Sequence, residues 1–199
     1  MNAFSLMAER KVFTEFREII DPSHTALVIW DVQNMLVGRI FNREQYLPSI
    51  TRFIDAAHSA RVPVFFTKIT PLPEAFESGV RLSQRRFPGG LSPEMLDLAV
   101  KPGKDDIVIN KNTASIFIGT NFELMVRNAG IQTIVFAGIA TEIGVESSAR
   151  DSQNRGFYTI AVDDLSSSAD RESHERSLTN MKNILMVKSS SDIMNIWSS

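Results

Sequence analysis

The run ALVIWD, from Ala26 to Asp31, decides how the rest of the chain is read. Its five successive apolar residues, closed by a carboxylate, lack the in–out alternation of a strand with one wet face. The run suits a strand covered on both faces, as strands are inside a parallel sheet. Outward from it the pattern recurs in VPVFFTK (62–68), DIVINK (106–111), IQTIVFAG (131–138), FYTIAVDD (157–164) and ILMVKS (184–189). Pro63 falls early in its run, where a strand tolerates proline.

Between these runs the spacing turns helical. Leu47, Ile50, Phe53, Ile54 and Ala57 mark a helix within residues 46–61. Further helices are expected over 120–128, stopping at Gly130, over 142–155, stopping at Gly156, and over 171–182. Six strands alternating with helices predict an α/β protein: a three-layer, Rossmann-like parallel sheet with helices on both faces. Residues 70–95, TPLPEAFESGVRLSQRRFPGGLSPEM, read as a long loop with about one helical turn, a length usually functional or disordered. At the N-terminus Phe4, Met7, Val12, Phe13, Phe16, Ile19 and Ile20 fall at mixed three- and four-residue spacings. They predict a docked helical extension over residues 1–22 of a single 199-residue domain.

Composition removes several functions. Twenty-one Lys and Arg against 23 Asp and Glu, with a pI near 5.9, argue against a general nucleic-acid or anionic-membrane binder. No run approaches the roughly 18 apolar residues of a membrane span, and the charged N-terminus lacks a signal peptide's apolar centre, so a cytoplasmic protein is expected. The absence of cysteine excludes disulfides, thiolate metal sites and a cysteine nucleophile. His24, His58 and His174 lie far apart, so neither a metal nor a cofactor is expected.

In a parallel sheet ligands bind beyond the carboxyl ends of the strands. That edge holds Asp31 and Gln33, Lys68, Lys111, the turn GIATEIG (138–144) and Asp163 with Asp164. Asp31 could merely cap a turn, and Lys111 could be solvated; together on one edge they form a plausible acid/base pair. The start of the helix near Thr141 to Gly144 could offer backbone N–H groups to an anion, or simply be capped by Thr141. Asp163 and Asp164 are read as caps.

The order WDVQN (30–34), NKNTASIFIGT (110–120), GIATEIGVESSARDSQNRGF (138–157) and VDDLSS (162–167) resembles the isochorismatase-like hydrolase superfamily over about residues 25–189. The resemblance implies the strand order 3-2-1-4-5-6 and a cis peptide at Ile139–Ala140. It also implies a small-molecule substrate and a homo-oligomer. Most members use Asp, Lys and Cys, which here correspond to Asp31, Lys111 and position 144, where this chain has Gly144. Glycine there resembles the isochorismatase branch, whereas Ala140-Thr141-Glu142 looks like the amidase branch.

Loss of the nucleophile is compatible with enol-ether hydrolysis. That reaction needs protonation of a vinyl carbon and water attack on the oxocarbenium carbon, with no covalent step. Asp31 is the candidate acid and Lys111 its partner, with amides around Ala140 and Gly144 holding water or a substrate oxygen. Gln33, Thr141, Arg81, Arg85 and Phe87 are the expected substrate contacts. Arg81 and Arg85, with Arg86, Arg39 and Lys68, suit an anionic isochorismate-like molecule, and Phe87 a lid. The alternatives are an amide or C–N hydrolase using activated water, and an inactive small-molecule-binding relative. Ser115, Ser147 and Ser148 are read as packing or capping residues.

Overall fold

The computed structural model describes residues 12–83 and 90–198. In chain order the elements are α1 (Phe16–Ile19), β1 (Thr25–Trp30), α2 (Asn34–Val37), α3 (Arg43–Ser59), β2 (Val64–Ile69), α4 (Gly79–Ser83) and α5 (Pro93–Leu96). They continue with β3 (Ile107–Lys111), α6 (Phe122–Asn128), β4 (Thr133–Ile139), α7 (Glu146–Asn154), β5 (Tyr158–Ser167), α8 (Arg171–Lys182), β6 (Met186–Lys188) and α9 (Ser190–Trp197). The six strands form one sheet, every pair parallel as the apolar runs predict, in the order β3-β2-β1-β4-β5-β6 that the resemblance implies.

β1 is central, with Leu27 in register with Val64 on one side and Val135 on the other. All six of its residues are buried, which is why its sequence does not alternate. The two faces still differ. Leu27 and Ile29 pack with Ile50, Phe53 and Ile54 of α3, while Ala26, Val28 and Trp30 pack with Phe122, Phe136 and Val145 on the other side. Gly138 pairs with Trp30, and its φ of 137° brings β4 close to β1. A Cβ there would lie 2.2 Å from the Trp30 carbonyl oxygen, so no larger residue fits.

Three departures from the sequence reading have physical causes. β5 runs on to Ser167 because its pairing with β4 slips: Phe136 faces Ala161, yet Gly138 faces Ser166. Asp164, within that irregular stretch, accepts hydrogen bonds from the Ser190 amide (2.8 Å) and hydroxyl (2.7 Å), tying β5 to α9. α9 itself was not anticipated. It starts with a Ser189/Asp192 capping box and buries Ile193 and Trp197, the latter stacked on Phe53 and donating to the Ile20 carbonyl at 3.0 Å.

The described part of the 1–22 extension is not one continuous helix, since only α1 is helical before Asp21. Phe13 instead donates its amide to the Tyr158 hydroxyl at 2.9 Å and stacks on His24. Residues 1–11 lie outside the described residues, as do Arg85, Arg86 and Phe87 of the long loop. No helix among the described residues is long and apolar enough to cross a membrane.

Truncating Phe136 to alanine, at a fully buried position on β4, should cost about 3–5 kcal/mol of unfolding free energy. Urea titration reads this as a lower midpoint at unchanged slope.

Candidate active site at the carboxyl edge of the sheet

Asp31 is the first residue after β1 and adopts a left-handed φ of 47°, uncommon for a residue with a side chain though tolerated by Asp. Lys111 ends β3, two strands away, and spans β2 to reach it: Nζ lies 2.6 Å from Asp31 Oδ2. Thr67 of β2 lies between them. Its hydroxyl donates to Asp31 Oδ1 at 2.6 Å and accepts from the Asp31 amide at 3.0 Å. Both charged side chains are almost wholly buried, 3% exposed for Asp31 and 2% for Lys111.

Burial disfavours both charged forms. It raises the Asp31 carboxyl above the ordinary carboxylate range and lowers the Lys111 ammonium below the ordinary lysine range, against their mutual attraction. The two groups are joined by one short hydrogen bond and titrate jointly.

Trp30 covers this pair. The Lys111 ammonium stands 4.0 Å from the centre of the indole ring. The same ring presses against Gly144: a Cβ built on Gly144 would lie 1.8 Å from Trp30 Nε1 and 2.1 Å from Cε2. The space that a side chain at 144 would use is thus filled by an indole from the adjacent strand. Neither the site role of Trp30 nor its link to Gly144 was drawn from the sequence. A readable signal was a bulky aromatic directly before Asp31 together with glycine at 144.

Above the pair opens a cavity of about 620 Å³. Trp30, Asp31, Ala140 and Gly144 line its inner end, and Arg39 and Arg81 bring cations. Its wall also carries Glu142, which sequence reading had not singled out as a contact. Ser168 donates to Glu142 Oε1 at 2.8 Å, while the buried Oε2 has no hydrogen-bond partner among the described residues.

Other expected contacts are used elsewhere. Gln33 is fully buried with its amide spent on backbone: Nε2 donates to Leu96 O (2.7 Å) and Ile69 O (3.2 Å), and Oε1 accepts from the Ile69 amide (2.9 Å). It clamps the loop after β1 to the end of β2 and does not line the cavity. Thr141 does not cap the helix; Ala140 does, and the Thr141 hydroxyl bonds His174 Nδ1 at 2.8 Å. Nor is the Gly144 amide open to a ligand. The chain turns there as a π turn, Thr141–Val145, whose amides at Ile143, Gly144 and Val145 all donate to the Ala140 carbonyl. The Ile139–Ala140 peptide is cis.

Lys68 pairs with Asp97. Ser115 bonds Asp151, Ser147 bonds back to Ile143 O and the Ser148 hydroxyl accepts from the Ile116 amide, so the three serines are structural. His58 pairs with Asp106 at 2.8 Å, and among the described residues no cluster of three or more His, Cys, Asp or Glu is placed to hold a metal ion.

A parallel doubly wound sheet with a buried Asp–Lys pair at its carboxyl edge is an α/β scaffold with an acid/base pair where such sheets bind ligands. Residues 25–192 match the isochorismatase domain, and the chain belongs to the isochorismatase family of hydrolases. It is 30% identical over 165 residues to the isochorismatase family protein YwoC of Bacillus subtilis, covering 80% of this chain and 86% of that protein. It is also 30% identical over 192 residues to the ureidoacrylate amidohydrolase RutB of Acinetobacter baylyi, covering 81% of this chain and 78% of that one. The fold is similar to that of a cysteine hydrolase from Pseudomonas syringae, with a TM-score of 0.83 at 19% identity over 96% of this chain and 98% of that one.

Gly144→Ala should destabilise the protein by about 1–3 kcal/mol, because its methyl group meets the indole. In a Trp30→Val background the same substitution should cost almost nothing. A double-mutant cycle by urea denaturation would then show coupling of about 1 kcal/mol or more.

Proposed function

We propose that this hydrolase cleaves a small molecule by acid/base catalysis without a covalent intermediate, and that the substrate is an enol ether of the isochorismate type, releasing pyruvate. The observation that carries the reading is the Trp30 indole in the space of a side chain at position 144. With no side chain there and no cysteine in the chain, a thiolate route has no nucleophile.

Protonated Asp31 gives its proton to the terminal vinyl carbon, and positive charge develops on the ether-bearing carbon. Water adds to that carbon and loses its proton to the Asp31 carboxylate. The hemiketal collapses to pyruvate and the alcohol. Lys111 stays paired to Asp31 and stabilises the carboxylate formed after proton transfer. Arg39 and Arg81 face the substrate carboxylates.

A second reading is hydrolysis of an amide or other C–N bond by activated water. Glu142 in the cavity wall favours it, because a carboxylate there suits a substrate N–H. The resemblance to an enzyme named ureidoacrylate amidohydrolase points the same way.

Isochorismate incubated with pure protein should yield pyruvate, measured by a coupled lactate dehydrogenase assay. Asp31→Asn should lower kcat/KM by about 10²–10⁴-fold. Because burial raises the Asp31 carboxyl, its proton-donating form persists above the ordinary carboxylate range and is lost as pH rises through the elevated value. Activity should therefore fall on the alkaline side. No pyruvate above the Asp31→Asn background would sink the enol-ether assignment, and Asp31-dependent hydrolysis of ureidoacrylate would replace it with the second reading.

A further inference from the structure

We infer that Trp30 is a substrate-binding residue, its indole N–H donating a hydrogen bond to an oxygen of the substrate next to the bond that is cleaved. The inference rests on the non-covalent reading above and adds a group to it. Trp30 is 2% exposed and lines the cavity beside Asp31. Its ring edge, Nε1 foremost, lies against Gly144, in the space that the first carbon of a side chain at 144 would take.

That N–H is a donor with no acceptor function, so inside a protein it calls for a partner. The other tryptophan has one, the Ile20 carbonyl at 3.0 Å. Among the described residues Trp30 Nε1 makes no such bond. Trp30 lines the cavity, so this donor stands at the wall of the space where a ligand would sit.

Lys111 strengthens it. An ammonium 4.0 Å from the ring centre draws electron density from the indole and makes its N–H a better donor. A carbonyl, carboxylate or ether oxygen held by this N–H lies in the cavity that Asp31 also lines, and the bond contributes to binding in the ground state and the transition state alike.

The chain has two tryptophans, so a ¹H–¹⁵N spectrum has two indole signals, and Trp197→Phe assigns them. Isochorismate added to the Asp31→Asn protein, and ureidoacrylate and pyruvate added to the unmodified one, are the probes. At least one should move the Trp30 indole proton downfield and leave that of Trp197 in place. Trp30→Phe, which keeps a ring and loses the donor, should raise KM for the compound turned over by about five- to tenfold, with kcat within about twofold.

A Trp30 signal unmoved by all three compounds, or a Trp30→Phe enzyme with unchanged KM, overturns the inference. Movement with ureidoacrylate in an enzyme that leaves isochorismate intact supports Trp30 and removes the enol-ether reading, so the two can fail separately.

Discussion

The ion pair between Asp31 and Lys111 is the constraint to which the rest of the site answers. Removing two opposite charges from water is costly, and attraction between them offsets that cost only where the geometry is close and the remaining polar atoms are satisfied. Here three neighbouring strands meet the condition together. β1 delivers Asp31, β2 the Thr67 hydroxyl and β3 Lys111, all at the same edge because parallel pairing brings their carboxyl ends level. The left-handed turn at Asp31 belongs to the same demand, since its amide and carboxylate both meet Thr67.

Trp30 passes the constraint to the other half of the sheet. Its backbone needs Gly138 on β4, where any Cβ would strike the Trp30 carbonyl, and its side chain needs Gly144 in the π turn. Two glycines six positions apart are thus explained by one indole. In turn the indole seals the Lys111 side of the pair and closes the end of the cavity. These close contacts couple residues 30, 138 and 144, so a change at any one alters what the other two can be.

The sheet was legible because its signal is repeated: buried parallel strands read as unbroken apolar runs, and six of them with intervening helices leave few topologies. Asp31 and Lys111 were legible because a carboxylate and an ammonium each end such a run. What stayed hidden depends on partners distant in the chain. Nothing local shows that Gln33 would spend its whole amide on Ile69 and Leu96, or that Thr141 would turn to His174. The π turn was hidden for the same reason, because a helix pattern over 142–155 does not show that its first amides converge on Ala140. α9 is different. Its capping box and its Ile193/Trp197 spacing are local and stand in the sequence directly after the last strand.

The choice of a large rigid ring to fill the space beside Gly144 has an electrostatic consequence. Had glycine left a hole there, the hole would be bordered by Asp31 and the Lys111 ammonium, polar enough to hold a water of roughly 30 Å³. Water beside the pair would raise the local dielectric, and the burial that lifts the Asp31 carboxyl would be weakened. An indole fills that space and offers its face to the cation. In the proposed non-covalent route the acid has only its proton to give, so there the glycine at 144 and the ring at 30 serve one end, a dry Asp31 carboxyl.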